Sequence, residues 1–221
     1  MINILCVKWG TAYSSEYVNK LHSMISRHFD EPFRMFCLTD NSNGVIDSVT
    51  CLPIADQRWD KWWNKITLLN DERIPKNTCL LFDLDVVIYG NITRLVEEVK
   101  DNLTIAECYW VDPVRNFKGY NNNLSCDLNS SIMMWNHTPE VKRVYDFFDQ
   151  NQEKLVKEYK GIDKVFYYYE FEHFEIATIK NDWIQSYHHT GFDKEKGSVL
   201  IFNQGIKQHE IKDKMVHELW Q

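Results

Sequence analysis

The sequence predicts an α/β fold in which a central, mostly parallel sheet is flanked by helices. Short apolar runs of strand length recur along the 221 residues, and most are separated by stretches whose apolar residues have helical spacing. Strands that alternate with helices favour parallel pairing, because each crossover helix returns the chain to the same end of the sheet. A composition of 44% hydrophobic and 14% aromatic residues is sufficient for a packed core.

Each element of the first 71 residues has a local signal. INILCVK (2–8) and FRMFCLTD (33–40) are short apolar runs suited to buried strands. Between them, SSEYVNKLHSMISRHF (14–29) has apolar residues at helical spacing, and either of its first two serines can cap the helix. A shorter strand is predicted at 49–54. DKWWNKITLLND (60–71) is then predicted as a helix whose paired tryptophans belong to the core.

The run LLFDLDVVIYG (80–90) is predicted as one buried strand, although it contains two acids, Asp83 and Asp85. A buried carboxylate costs several kcal/mol unless something pairs with it, so this pair predicts a cation. Asp40 and Asn203 also follow predicted strands. In open α/β sheets ligands gather at the carboxyl ends of the strands, which makes this edge the candidate site.

The second part of the chain continues the alternation. Thr138 and Pro139 give a cap and a first helical position to one helix. The stretch 111–127 is polar and rich in turn residues, so it is predicted as a loop. In order, the other elements are a short helix (91–99), a strand (103–109), a strand (129–135), helices (138–150 and 163–171) and a late strand running into a loop (197–207).

Composition also excludes several classes of function. The net charge is −7 and the basic residues are scattered, which argues against a nucleic-acid partner. The start, MINILCVKWG, lacks the basic region of a signal peptide, and no apolar stretch approaches the roughly 20 residues of a membrane span. The six cysteines form no C-x-x-C pair and are predicted to be reduced core thiols. We therefore expect a cytoplasmic protein.

Two chemistries use D-x-D after a strand. In the first, Asp83 and Asp85 hold a divalent cation that also binds a pyrophosphate, for which Mg²⁺ or Mn²⁺ suits oxygen ligands. In the second, FDLDVV is the phosphohydrolase motif of the haloacid dehalogenase superfamily, with Asp83 as nucleophile and Asp85 as acid/base. That fold also needs a later acidic pair, and no downstream predicted strand ends in two acids. A third interpretation is a pair that only caps the next turn.

Several segments together resemble the GT-A glycosyltransferases, especially the glycogenin-like group with its viral and bacterial relatives. They occur in the family's order and span nearly the whole chain. The resembling segments are CVKWGTAYSSEYVNKL (6–21), MFCLTD (35–40), WWNKITLL (62–69), FDLDVVIYGNITRL (82–95), LNSSIMMWN (128–136), GIDKVFYY (161–168), DWIQSYHHTG (182–191) and SVLIFNQGIKQHE (198–210).

This resemblance implies a metal-dependent transferase of the GT-A (nucleotide-diphospho-sugar transferase) fold, with Mn²⁺ or Mg²⁺ as cofactor. The donor would be a UDP-sugar, and the acceptor a hydroxyl of a glycan or glycoprotein. If the resemblance to the viral relatives holds, the acceptor would be a viral capsid glycan and the location the host cytoplasm. It also implies one domain over 1–221, with a nucleotide-binding half at about 1–90 and an acceptor half at about 91–221. Further domains after this one are left open.

The resemblance implies metal ligands with one departure. Asp85 would ligate the metal directly, and Asp83 would ligate it or orient ribose and sugar hydroxyls. Relatives have a histidine after the last strand, in F-H-G, whereas this chain has Asn203. An amide oxygen can ligate Mg²⁺ or Mn²⁺, and His209 is a substitute. The departure also leaves open a non-catalytic module that binds a nucleotide-sugar or a glycan.

The resemblance implies further roles around the donor and the acceptor. Thr11 and Tyr13 would hold the base and ribose, and Asp40 would accept from the uracil or the ribose. Ser131 would line the sugar pocket. The candidate cations for the pyrophosphate are Arg58, Lys65 and Lys207. The candidate catalytic carboxylates, which would deprotonate the acceptor or face the anomeric carbon, are Asp163 and Asp127. Independently of the resemblance, the predicted loop combines charged, amide and aromatic side chains that suit a glycan, and its acceptor candidates are Arg115, Phe117, Lys118 and Tyr120.

Overall fold

Ten strands and five α-helices form the chain in the computed structural model, which describes residues 1–111, 126–170, 172–203 and 207–221. The strands are β1 (Ile2–Lys8), β2 (Phe33–Thr39), β3 (Val49–Pro53), β4 (Cys79–Phe82), β5 (Val86–Ile88), β6 (Leu103–Glu107), β7 (Leu128–Trp135), β8 (Ile176–Lys180), β9 (Ile184–Ser186) and β10 (Val199–Ile201). The α-helices are α1 (Ser15–His28), α2 (Pro139–Gln150), α3 (Gln152–Glu158), α4 (Ile162–Tyr169) and α5 (Lys214–Leu219). Three 3₁₀ helices cover Lys61–Asn70, Thr93–Val96 and Gln208–Glu210.

The strands form a seven-stranded sheet in the order β3-β2-β1-β4-β7-β6-β8 and a three-stranded sheet in the order β5-β10-β9. In the large sheet β7 runs antiparallel to β4 and β6, and the other pairings are parallel. The predicted α/β fold with a mostly parallel central sheet is therefore confirmed. Most of the individual strands and helices also lie where the sequence predicts them.

Both faces of the large sheet are buried, which explains why its strands are nearly continuous apolar runs. Ile4 and Leu80 face a core that includes α1 and the small sheet. Leu5 and Leu81 face a second core that includes the 3₁₀ helix 61–70, α2 and α4. All six cysteines are free thiols. Among the described residues, no helix is long and apolar enough to cross a membrane.

The prediction of one strand over 80–90 is wrong. This run is two strands, β4 and β5, which belong to different sheets. The amide of Asp83 donates to the carbonyl oxygen of Ser131 on β7 (2.9 Å), whereas the carbonyl oxygen of Asp85 accepts from the amide of Phe202 after β10 (3.0 Å). The two flanks of D-x-D thus pair with different strands, and the tripeptide is the turn between the sheets.

Other differences concern helix type and short elements. The predicted helix at 60–71 is a 3₁₀ helix, and Trp63, Ile66 and Leu69 are buried at the three-residue spacing that suits it. Ser14 occupies the N-cap of α1 without a side-chain hydrogen bond. Thr138 caps α2 as predicted, accepting from the amide of Val141. The sequence prediction missed α3, α5, β8 and β9. The late strand is present as β10, Val199–Ile201.

Candidate active site

A cleft of about 340 Å³ opens at the carboxyl ends of β1 and β4. Three segments bring residues to it: the loop after β1, the start of the 3₁₀ helix 61–70 and the D-x-D turn. Its lining residues are Val7, Trp9, Ala12, Tyr13, Lys61, Trp62, Lys65, Asp83, Leu84 and Asp85. The cleft therefore combines aromatic faces, two ammonium groups and two carboxylates. This is the edge at which the sequence predicts ligands to gather.

Asp83 is neutralised by a buried lysine. The Nζ atom of Lys65 lies 2.7 Å from the Asp83 carboxylate and also donates to the carbonyl oxygen and the hydroxyl of Ser130, at 3.0 and 3.2 Å. Lys65 is only 3% exposed. Asp83 keeps 26% of its side chain exposed, so the buried charge is that of Lys65, and the ion pair and the added hydrogen bonds compensate for its lost water. Lys65 thus holds Asp83 in place at the cleft.

Asp85 lacks comparable compensation. The phenol of Tyr13 donates to its Oδ2 at 3.3 Å, while its Oδ1 is buried and has no hydrogen-bond partner in the described part of the chain. Burial, together with the negative charge of Asp83, raises the pKa of Asp85 to about 7, although Lys65 opposes the shift. Burial and the Asp85 charge also raise the pKa of Tyr13, which keeps its phenol a donor. A cation beside Asp85 would satisfy this oxygen.

The oxygen-rich donor set fits a hard divalent cation such as Mg²⁺ or Mn²⁺. The described residues contain no group of three or more His, Cys, Asp and Glu side chains placed to hold a metal, so carboxylates alone do not complete a site. Asn203 follows the strand that pairs with β5, but its Oδ1 accepts from the hydroxyl of Ser186 at 2.9 Å. The other candidate, His209, is exposed, and its Nδ1 bonds the phenol of Tyr17.

Gln208 contacts the D-x-D turn and was missed by the sequence prediction. Its side-chain amide donates to the carbonyl oxygens of Leu84 (3.1 Å) and Val86 (3.2 Å), which flank Asp85. Gln208 is fully buried, and its Oε1 has no hydrogen-bond partner among the described residues. A buried amide next to an acidic motif has no sequence signal of its own, because glutamine is usually exposed.

The predicted catalytic carboxylates lie near the start of β7. Asp163, in the first turn of α4, accepts from the backbone amide of Ser130 at 2.9 Å, and burial raises its pKa. Ser130 also contacts Lys65, so Asp163 is one residue removed from the Lys65–Asp83 pair. Asp127 is 1% exposed. Ser131, with its side chain largely buried, binds the backbone of Asp83 through its carbonyl oxygen.

The loop after β1 positions part of the predicted nucleotide site. Thr11 is exposed and does not line the cleft, whereas Tyr13 does. Asp40, after β2, accepts from the amide of Gly10 at 2.9 Å. Lys207 donates through Nζ to the carbonyl oxygen of Ala12 and lies 4.9 Å from the ring centre of Tyr13. These contacts bring Lys207 and Asp40 to the same loop from opposite parts of the sequence.

Two predictions about the helix region are not matched by the structure. Arg58 pairs with Asp56 (2.7 Å) and Asp149 (2.6 Å) and does not line the cleft, because local and α2 carboxylates hold its guanidinium. Trp62 is 47% exposed on the cleft, although the sequence assigns it to the core, while Trp63 is buried as predicted. The acceptor candidates Arg115, Phe117, Lys118 and Tyr120 lie outside the described residues.

This topology, with its cleft at the D-x-D turn, is the GT-A fold of nucleotide-diphospho-sugar transferases. Two solved structures of the galactosyltransferase LgtC share it. One, in complex with donor and acceptor sugar analogues, gives a TM-score of 0.65 at 12% identity and covers 99% of this chain and 95% of that chain. The other, an active-site mutant, gives 0.64 at 14% identity, covering 98% and 94%. No protein-family model and no curated protein matches the sequence.

Proposed function

We propose that this chain is a metal-dependent glycosyltransferase that moves a sugar from a UDP-sugar to a hydroxyl of a glycan or glycoprotein. The observation that carries the proposal is the buried Oδ1 of Asp85, which has no hydrogen-bond partner among the described residues and belongs to a D-x-D turn that lines the cleft. A cation there would be positioned to meet a diphosphate. The likeness to LgtC, which was solved with donor and acceptor sugar analogues, supports the same class of reaction.

Different residues of the chain would bind the cation, the base and the pyrophosphate. Asp83 and Asp85 would hold the cation, with Asn203 as third ligand once its oxygen leaves Ser186. Tyr13 would offer a face to the base, beside Thr11 and Asp40. Lys65 would hold the Asp83 carboxylate in position through their ion pair, and Lys207 would bind the pyrophosphate from the other side of the loop. A bound Mn²⁺ or Mg²⁺ would supply positive charge against the diphosphate leaving group.

Sugar transfer passes through a transition state that resembles an oxocarbenium ion, as in glycoside hydrolysis. A carboxylate can deprotonate the acceptor or stabilise the anomeric carbon. Neither Asp163 nor Asp127 is among the residues that line the cleft; of the two, we propose Asp163, because it connects through Ser130 to Lys65, a residue of the cleft. Ser131, next to Ser130, would line the sugar pocket.

The finer assignments follow from the sequence resemblance. We propose one catalytic domain over 1–221, with the nucleotide half at about 1–90 and the acceptor half at about 91–221. The resemblance to a chlorella-virus domain that glycosylates the capsid protein makes a capsid glycan the specific acceptor proposed. The six free thiols suit the reducing cytoplasm, here that of the host.

One observation favours a second candidate, a nucleotide-sugar or glycan-binding module without catalysis. Asn203 replaces the family's histidine, and its oxygen is engaged by Ser186. Such a module would bind a UDP-sugar yet never release UDP. The GT-A fold, by contrast, favours the transferase over the phosphohydrolase. In a phosphohydrolase the nucleophile would be Asp83, which follows the fourth strand of this chain.

Calorimetric titration with UDP, in Mn²⁺ and in EDTA, tests the proposal. Wild-type protein should bind UDP much more tightly with Mn²⁺, and Asp85→Ala should abolish the difference without unfolding the protein. The control is Asp146→Ala, which removes an exposed carboxylate paired with Lys142 on α2. Equal UDP affinity in both conditions would contradict the metal role. Slow UDP release from a UDP-sugar distinguishes the enzyme from the binding module, and hydrolysis of p-nitrophenyl phosphate would favour the phosphohydrolase.

A further inference from the structure

We infer that Trp62 is a stacking platform for the pyranose ring of a sugar bound in the cleft. This inference rests on the proposed function and deepens it, because it assigns a sugar-recognising residue to the same site. The shared chemistry is a pyranose ring, which could belong to the donor or to the acceptor. The experiment below distinguishes these two sources.

The exposure of Trp62 is the first observation. In the described part of the chain, four large hydrophobic residues are exposed by more than a third: Met1, Ile46, Trp62 and Met215. Of these, Trp62 alone lines the cleft. Its neighbour Trp63 is 3% exposed and stacks against Trp59 in the core. The same helix therefore presents Trp62 to the cleft and buries Trp63 in the core.

Backbone strain next to Trp62 is the second observation. Lys61 has φ of 51°, the single positive φ among the described non-glycine residues. A non-glycine residue stays in this left-handed region only where the surroundings enforce it, and such residues cluster at ligand sites. Lys61 also begins the 3₁₀ helix, so its conformation sets the direction in which that helix leaves the cleft. Its Nζ lies 5.8 Å from the ring centre of Trp62.

The composition of the cleft is the third observation. A pyranose presents a C–H face that packs on an aromatic ring, and hydroxyls that bond to carboxylates and ammonium groups. Asp83, Asp85 and Lys61 supply such polar groups in the cleft that Trp62 lines. Tyr13 is less available as a sugar platform than Trp62, because it is half-buried and Tyr17 meets it edge-on at 5.0 Å. A lysine ammonium lies over one face of each ring, closer for Tyr13 (4.9 Å) than for Trp62 (5.8 Å). Of the two tryptophans that line the cleft, Trp9 is half-buried and Trp62 is exposed, so Trp62 offers the more accessible aromatic face.

The test compares UDP with UDP-sugars in variants of Trp62. Wild-type, Trp62→Ala, Trp62→Leu and Trp62→Phe are titrated with UDP, UDP-glucose, UDP-galactose and UDP-N-acetylglucosamine in Mn²⁺. Met215→Ala, which removes a side chain of similar exposure outside the cleft, is the control. UDP affinity should be unchanged throughout. Loss of the stacking face should weaken binding of the sugar by about tenfold in Ala and Leu, with Phe retaining most of it.

The readout identifies the source of the ring. Weaker binding of the best UDP-sugar in Trp62→Ala assigns the platform to the donor. Unchanged donor binding with a roughly tenfold higher acceptor KM assigns it to the acceptor. Equal loss of UDP and UDP-sugar affinity would mean that Trp62 stacks on the base, and no change in any arm would mean that it binds nothing. Either result overturns the inference.

A further arm keeps the inference testable if the proposed function fails. If wild-type protein does not bind UDP, the same variants are titrated with free glucose, galactose, xylose and N-acetylglucosamine, followed by tryptophan fluorescence. A signal present in wild type and absent in Trp62→Phe and Trp62→Leu would support a sugar site independent of the nucleotide. Absence of a signal in wild type would overturn the inference together with the proposed function.

Discussion

The buried amide of Gln208 donates to the carbonyl oxygen of Leu84 at 3.1 Å and, through the same nitrogen, to that of Val86 at 3.2 Å. Leu84 and Val86 are the two neighbours of Asp85. One side chain from the far end of the sequence therefore fixes the backbone on both sides of the candidate metal ligand.

Replacing Gln208 should weaken metal-dependent binding, although Gln208 is not itself a predicted metal ligand. Gln208→Met keeps the volume but removes both donors, and we expect a loss of about 2 kcal/mol in the free energy of unfolding. Mn²⁺-dependent UDP binding should weaken as well, because Asp85 loses its fixed backbone. Gln208→Glu keeps one side-chain oxygen and replaces the amide donor with a second oxygen. If Gln208→Glu keeps the UDP affinity of wild type while Gln208→Met loses it, Gln208 acts through its oxygen and not through its NH2 group, contrary to this prediction.

The Lys65–Asp83 ion pair should stabilise the fold as well as position Asp83 in the cleft. Lys65→Met leaves a carboxylate that is largely buried without its partner, and we expect the free energy of unfolding to fall by about 3 kcal/mol. Chemical denaturation measures this. In Lys65→Met with Asp83→Asn, much of the loss should be recovered, because the unpaired charge is gone.

Lys142→Met provides the matched control for Lys65. Lys142 and Asp146 form an i,i+4 pair at the same 2.7 Å separation, but both side chains are exposed. Its loss should change the free energy of unfolding by less than about 0.5 kcal/mol. Comparable effects for the two lysines would contradict the argument from burial.

Asn203 offers a way to strengthen the metal site. Asn203→His should increase Mn²⁺ affinity, since imidazole is a better ligand for a transition metal than an amide, and Mg²⁺ affinity should change less. Electron paramagnetic resonance of free Mn²⁺ measures the change. Unaltered affinity for both metals would show that this side chain remains directed at Ser186 and that the third ligand lies elsewhere.

His137 should make stability depend on pH. Burial, with a smaller contribution from Lys76, lowers its pKa from 6.5, and its Nε2 contacts the Sγ of Cys79. The unfolded chain therefore binds a proton more readily than the folded one. The stability that His137 contributes is present above about pH 6.5 and is lost as the pH falls below that value.

The measurement compares wild type with His137→Gln between pH 8 and pH 5. The free energy of unfolding of wild type should decline relative to that of the variant as the pH drops below about 6.5. Titrating groups shared by the two proteins cancel in this difference. A difference that is constant with pH would show that His137 titrates alike in both states.

Local signals predicted most of the fold, and long-range contacts decided the rest. The strands near 2–8 and 33–40, the helix beginning at Pro139 and the candidate site at D-x-D all follow from short patterns. The division of 80–90 into two strands does not, because an apolar run looks the same in one sheet or two. The partners that divide it, Ser131 and Phe202, lie far along the chain.

The candidate site shows the same division between local and distant information. Asp83, Asp85 and Tyr13 line the cleft, because the two acids form the turn after β4 and Tyr13 lies in the loop after β1. Adjacent tryptophans look equivalent in sequence, so the exposure of Trp62 could not be predicted. The engagement of Arg58 by Asp149 on α2 likewise depends on tertiary packing.

The turn between β4 and β5 has a mechanical consequence. The backbone of Asp83 is anchored to the large sheet through Ser131, and that of Asp85 to the small sheet through Phe202. A cation held by both carboxylates would therefore cross-link two sheets that the covalent chain joins at this point by three residues. Amide hydrogen exchange in β5 and β10 should slow when the cation is bound, although both strands lie outside the cleft.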